Sequence, residues 1–209
     1  MQVEPSESDW AFAKSVHDEF SQKPGAQHIA SEFALAYLSA VLNKVEPNSV
    51  LEFGAGIGTI THFLLKHPAN IGHVTTTENH PYCLEQFAAN ISEEFDGRYD
   101  LIVDDSTLVP GQRPYELVIV DNSVSARGYA YLDHGMTCFV EGARSENRRE
   151  IQSELAGRGL RCDFVNYNRG MQYFSIVLRR SKKFGIPYPK FRLRKVRKGC
   201  WIGAVEPTV

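Results

Sequence analysis

Apolar residues recur at helical spacing along the first part of the chain. Trp10, Ala13, Val16 and Phe20 predict a helix over 8–20, and Ile29, Phe33, Ala36, Tyr37, Ala40 and Val41 a second over 27–43, because positions three and four apart share one helix face. Lys23-Pro24-Gly25 predicts a turn between them. After Pro47-Asn48 the pattern changes to short apolar or β-branched runs alternating with helical ones. Strands are expected at 49–53, 72–78, 99–105, 115–121 and 136–141, and helices at 59–67, 81–95 and 145–156. The run Leu117–Val120 is apolar throughout, as in a strand covered on both faces of a parallel sheet. Residues 122–135 predict a loop or short helix. The segments 161–168 and 171–180, separated by Arg169-Gly170, predict an antiparallel hairpin. Alternating strands and helices mean an α/β fold.

The carboxyl ends of these strands carry the chemistry. Strand one runs straight into Gly54-Ala55-Gly56-Ile57-Gly58-Thr59, three glycines at alternate positions followed by a helical pattern. Glycine there accepts positive φ and leaves no Cβ in the way of a ligand. The other strands end in Glu78, Asp104-Asp105, Asp121-Asn122 and Glu141. In open α/β sheets ligands bind outside those ends, where the strand order reverses. Polar groups at every such end form a stronger signal than any one motif.

Composition narrows the picture only slightly. At 209 residues, with 43% hydrophobic and 23% charged residues, the chain suits one soluble domain. We expect an N-terminal helical cover at 1–45, a Rossmann-like core at 46–180 and a basic C-terminal extension at 181–209. Four dispersed cysteines without a Cys-x-x-Cys pair suggest reduced thiols and give no zinc signature. With no apolar run approaching a membrane span and no signal-peptide pattern, a cytoplasmic location is expected. The charge of −2 hides a segregation. From Phe164 to Val205 there are eleven Lys or Arg and no Asp or Glu, whereas the first 163 residues hold 24 of the 25 acidic ones.

The glycine spacing, with Glu52 two residues before the first glycine, differs from a dinucleotide fingerprint and resembles motif I of the class I S-adenosylmethionine-dependent methyltransferases. Leu51-Glu52-Phe53, Thr77-Glu78-Asn79 and Tyr115-Glu116-Leu117-Val118-Ile119-Val120-Asp121 are similar to the small-molecule O-methyltransferases of the catechol and caffeoyl-CoA type, over roughly residues 45–180. This resemblance implies a Rossmann-like fold: a mostly parallel seven-stranded sheet, an antiparallel C-terminal hairpin and helices on both faces. It implies S-adenosylmethionine as cofactor, with Glu52, Gly54, Ala55, Gly56, Gly58 and Thr59 near its amino-acid part. Glu78, with Asn79, would take the ribose hydroxyls; its alternative role is to cap the next helix. Asp104 or Asp105 would meet the adenine.

Asp121 would orient the donor, act as a base or hold a metal. The relatives complete a divalent metal site with an Asp-Asn pair after strand five, where this chain has Glu141-Gly142-Ala143-Arg144. No metal is therefore expected; were Mg²⁺ to bind, Asp121 and Glu141 would hold it. His134 is the first candidate base, with His28 and His80 behind it. Asn122, Arg127, Tyr129 and Arg144 are the expected acceptor contacts. The acceptor expected is a small hydroxyl compound, anionic if Arg144 and its neighbours bind it. The runner-up is RNA or another polyanion held by the basic C-terminal segment. A cofactor-binding protein without turnover is the third reading. No membrane partner is expected, and a homodimer is left open.

Overall fold

Two helices, α1 (Glu7–Ser21) and α2 (Glu32–Val45), precede the first strand, β1 (Ser49–Phe53). There follow α3 (Thr59–Lys66), β2 (His73–Thr77), α4 (Pro81–Asn90), β3 (Tyr99–Ile102), β4 (Leu117–Val120), β5 (Thr137–Glu141) and α5 (Ser145–Gly157), then β6 (Leu160–Cys162), β7 (Val165–Arg180) and β8 (Pro187–Pro207). The computed structural model describes residues 1–103, 114–121, 128–142, 145–180 and 187–208, the side chains of 128, 129, 145 and 169–198 excepted.

Local chemistry sets the helix starts. Ser6 and Asp9 form a reciprocal capping box that begins α1. Ser31 accepts a hydrogen bond from the Ala34 N–H and begins α2. The helix expected over 27–43 is therefore shorter at its front: 26–28 make a single 3₁₀ turn, and Ile29 and Ser31 are extended. The helix expected over 81–95 stops at Asn90, and Ser92 caps a separate turn at Glu93–Phe95.

The sheet order is β3-β2-β1-β4-β5-β8-β6, with β7 also paired to β8. β1 pairs in parallel with β2 on one side and β4 on the other, so the order reverses between β1 and β4. β8 runs antiparallel to β5, from Thr137↔Ala204 to Glu141↔Cys200.

The C-terminal third departs from expectation. Arg169-Gly170 is no turn: β7 continues through it, in unbroken register with β8 from Val165↔Ile202 to Arg180↔Pro187. The hairpin pairs β7 with β8, and the segment read as an extension from 181 contains β8 itself. The outer strand is broken at Asp163-Phe164, so among the described residues eight hydrogen-bonded strands occupy seven sheet positions.

Two apolar layers cover the sheet. Val50, Ile119 and Phe139 pack with α1, α2 and α3, among them Phe20, Leu38 and Phe63. Leu51, Phe53, Val118 and Val140 pack with Ile151 and Leu155 of α5. A buried polar chain ties the first layer together. The Ser39 hydroxyl donates to Asp9 Oδ1 and lies 2.9 Å from His67 Nε2. His67 Nδ1 accepts from the Ala69 N–H, which leaves its Nε2–H to donate to Ser39. Burial holds the His67 imidazole down to about 4, against a smaller pull from Asp9.

Candidate active site

The glycine turn is tied to the tip of the next strand. The N–H groups of Gly54 and Ala55 both donate to the Thr77 carbonyl, at 3.1 and 2.9 Å. Gly54, Gly56 and Gly58 have φ of 92°, 55° and 94°, a region that side chains with a Cβ adopt only at a cost. Asn90 Nδ2 donates to the Ile57 carbonyl and fixes the outer limb. Gly56 and Gly58 serve different ends. A Cβ at Gly58 would lie 3.0 Å from Ile91 and 3.2 Å from Phe87, so that glycine is required for packing. A Cβ at Gly56 would meet nothing within 4 Å, which leaves that side of the backbone open to a ligand.

A cavity of about 340 Å³ opens above this turn. Ala55, Gly56, Ile57 and Thr59 form one wall, and Asp121 of the β4 end lies among the lining residues. The backbone N–H of Asp121 donates to the Phe53 carbonyl at 3.0 Å, continuing the β1–β4 ladder to the switch point. The opposite wall comes from positions 25 and 27–30, between α1 and α2, and from His80, Tyr82 and Cys83 at the start of α4. The first part of that wall is the segment that joins the two N-terminal helices, and no residue of α1 or α2 is among the lining residues. His28 and His80 both line it.

Glu78 sits at the β2 tip beside the turn. Its carboxylate accepts three backbone hydrogen bonds: from Gly56 at 2.8 Å, Asn79 at 2.9 Å and His80 at 2.8 Å. The carboxylate thus bridges the glycine turn and the two residues that lead into α4, beside the cavity rather than among its lining residues. Asn79 is exposed and contributes its N–H to this bridge.

Glu52 lies beneath the turn, fully buried, and is not among the residues lining the cavity. Thr61 of α3 donates to its Oε2. Burial pushes its carboxyl up to about 7, and the hydrogen bond from Thr61 pulls it only partly back. A direct contact with a ligand in the cavity is not what this placement offers; Glu52 supports the turn from below.

His134 is removed from the site. It precedes β5, and residues before a parallel strand lie at the amino edge of a sheet. It lines a different cavity of about 630 Å³ with Glu116 and Met136, which lead into β4 and β5. Asp121 and Glu141 end neighbouring strands at the carboxyl edge. Among the described residues no group of three or more His, Cys, Asp and Glu could hold a metal ion. Asp104, Asp105, Asn122, Arg127 and Arg144 lie outside the described residues. Tyr129 falls in the short 3₁₀ helix Gly128–Tyr131.

The buried Glu52 and His67 give opposite pH dependences. The carboxyl of Glu52 is raised from 4.5 to about 7, so its share of stability is full below pH 4.5 and lost as pH rises to 7. The imidazole of His67 is depressed from 6.5 to about 4, so its share is full above pH 6.5 and lost as pH falls to 4. Each amounts to about 3 kcal/mol, and the two largely offset each other between pH 4.5 and 6.5. Glu52→Gln is expected to show stability rising with pH across that window, and His67→Gln stability falling. Urea titrations at several pH values test this; parallel curves for both variants and wild type would remove the argument.

Comparison with known proteins agrees with this architecture. No family model matches the chain, and no curated protein matches it. Solved structures do. An S-adenosylmethionine-dependent O-methyltransferase from Thermotoga maritima superposes with a TM-score of 0.61 at 12% identity, covering 90% of this chain and 70% of that one. The tRNA (m1A58) methyltransferase TrmI of Aquifex aeolicus gives 0.59 at 14% identity, covering 91% and 75%. The O-methyltransferase TomG from Streptomyces achromogenes, solved with its cofactor, gives 0.56 at 16% identity, covering 99% and 92%. The chain has the class I S-adenosylmethionine-dependent methyltransferase fold. No described helix is long and apolar enough to cross a membrane.

Proposed function

We propose that the chain is an S-adenosylmethionine-dependent methyltransferase. One observation carries the reading: a glycine turn at the switch point, bridged by Glu78, opens on a cavity that also reaches Asp121. That cavity falls within the usual range for small-ligand sites, and the open space at Gly56 suits close approach of a ligand to backbone.

Bound there, the cofactor would supply an electrophilic methyl group on a sulfonium. The backbone of positions 54–58 would hold its amino-acid part. Glu78, still bridging the turn, would also accept from the two ribose hydroxyls, and Asp104 or Asp105 would hold the adenine amino group. Asp121 would orient the reacting end. Holding donor and acceptor in line can supply about 7–11 kcal/mol of the barrier; a base adds about 10²–10⁴-fold. His28, His80 and Asp121 are the candidate bases that line the cavity.

The acceptor we propose is a small-molecule hydroxyl, supported by the catechol-type resemblance and a largely apolar cavity. Asn122, Arg127, Tyr129 and Arg144, which follow Asp121 or Glu141 in sequence, are its expected contacts. A second reading has a polyanion such as RNA as acceptor. It is favoured by nine Lys or Arg and no acid among the 24 positions 169–180 and 187–198 of the β7–β8 ribbon. Four free cysteines support a reducing, cytoplasmic setting.

Calorimetric titration with S-adenosylmethionine and with its demethylated product tests the cofactor. Micromolar binding of both is expected; a folded protein that binds neither would overturn the proposal. Radiolabelled methyl transfer to hydroxylated small molecules and to RNA then separates the two acceptors.

A further inference from the structure

Glu52 is a buried carboxyl without a counter-charge. Its Oε2 accepts from Thr61, but its Oε1 makes no hydrogen bond. Nor does the hydroxyl of Thr76, its partner across β1 and β2. Burial penalises the charged form of a carboxyl, so one that lacks a cation is held neutral. Among the described residues no cation acts on this one, and Glu78 at the β2 tip adds a like charge. The bases of α3 serve other partners: His62 lies 3.5 Å from Glu19 of α1, and Lys66 acts on the same Glu19. His67, just past α3, faces Ser39 and the Asp9 beyond it. β4 sets Ile119 beside Glu52, and Asp121 past its end belongs to the cavity.

This carboxyl lies close behind the cavity wall. Glu52 comes two residues before Gly54, and its donor Thr61 two residues after Thr59; Ala55, Gly56 and Thr59 line the cavity. With consecutive Cα atoms about 3.8 Å apart, the carboxyl is within roughly 10 Å of anything seated on the turn. Protein rather than water fills that distance, and charges act on each other more strongly through protein. Donor and product differ there by one charge. The donor's sulfur is a sulfonium, whereas the product's sulfur keeps the electron pair of the broken carbon–sulfur bond and is a neutral thioether. The ammonium and carboxylate of the amino-acid part accompany both ligands and largely cancel at a distance.

We propose that Glu52 senses the charge of the bound ligand: it ionises when the sulfonium donor sits above it and takes its proton back when the neutral product is left. The chain therefore selects donor over product through a group that touches neither. This inference rests on the methyltransferase reading. The carboxyl stands at about 7 in the unliganded chain, neutral below that and charged above it. Donor binding favours the charged form, lowers this value and releases a proton, so donor affinity rises with pH through the range.

Calorimetry of the full chain with S-adenosylmethionine and with its demethylated product, in buffers of different ionisation enthalpy, counts the protons. At about pH 7 the donor is expected to release about half a proton more than the product. From about pH 5.5 to about pH 8.5 the donor's dissociation constant should fall about 10-fold, and the product's less than about 3-fold. His28 and His80 also line the cavity and answer the same charge. Glu52→Gln keeps both histidines and is expected to abolish the difference between the ligands. It should bind the donor nearly as wild type at about pH 5.5 and about 10-fold more weakly at about pH 8.5. A purely structural role would weaken both ligands alike at every pH. Thr61→Val removes the hydrogen bond to Oε2 and should move the rise in donor affinity to higher pH, which keeps the test open if Glu52→Gln misfolds. Equal proton release by the two ligands, a difference that survives in Glu52→Gln, or an unmoved midpoint in Thr61→Val would each overturn the charge-sensing role and leave the cofactor assignment standing. A folded chain that binds neither ligand would remove both.

Discussion

Glu78→Ala is expected to weaken S-adenosylmethionine binding by about 100-fold or more. The carboxylate bridges Gly56 to Asn79 and His80, just ahead of α4, through three backbone hydrogen bonds. In the proposed complex it also accepts from the ribose. Hydrogen bonds to a charged group contribute about 1.5–3 kcal/mol each, so losing two ribose contacts together with the support of Gly56 readily exceeds the roughly 2.7 kcal/mol of a hundredfold change. Glu78→Gln keeps one acceptor oxygen and should fall between. Calorimetry on both variants, with circular dichroism to check folding, decides the matter. A change below about tenfold would show that Glu78 only braces the glycine turn against the segment ahead of α4 and would sink its ribose role.

The largest loss of stability is expected from Gly58→Val. Its φ of 94° is costly for any side chain, and its Cβ would press on Ile91 and Phe87, both buried. Backbone strain and overpacking together amount to about 2–5 kcal/mol. Gly56→Ala makes a sharp contrast. Its φ of 55° and open surroundings limit the strain to about 1–2 kcal/mol, but the added methyl faces ligand space. Chemical denaturation should therefore single out Gly58→Val, and cofactor titration should single out Gly56→Ala. Equal losses of both properties in both variants would mean that the two glycines share one role.

Much of this site was legible in the sequence because its signals are local. The apolar run ending at Phe53 followed at once by glycines located β1 to the residue, and Asp121 at the end of β4 lines the cavity. His134 lies away from the site because a residue ahead of a parallel strand belongs to the opposite edge of the sheet. The cavity wall at positions 25 and 27–30 carried no motif, since a turn becomes a wall only through the way two helices pack. The hairpin was misplaced for a related reason. Gly170 looks like a turn locally, but its partner Arg197 lies 27 residues away, and pairing with β8 outweighs the local preference of one glycine. Ser31 likewise started α2 by a side-chain cap that apolar periodicity does not register.

The place of β8 has a consequence for how the chain assembles. Cys200–Val205 lies between β5 and the outer strand, with Cys200, Ile202 and Val205 buried. During synthesis, β1 to β5 emerge long before the strand that closes their edge. Until then β5 presents unpaired backbone groups, an invitation to intermolecular pairing. Closure of this edge must wait until β8 has been made, and it joins residues far apart in sequence, which slows it. Ribosome-bound nascent chains stalled before residue 199 should therefore be protease-sensitive around β5, with protection arriving abruptly once 200–205 are free of the exit tunnel.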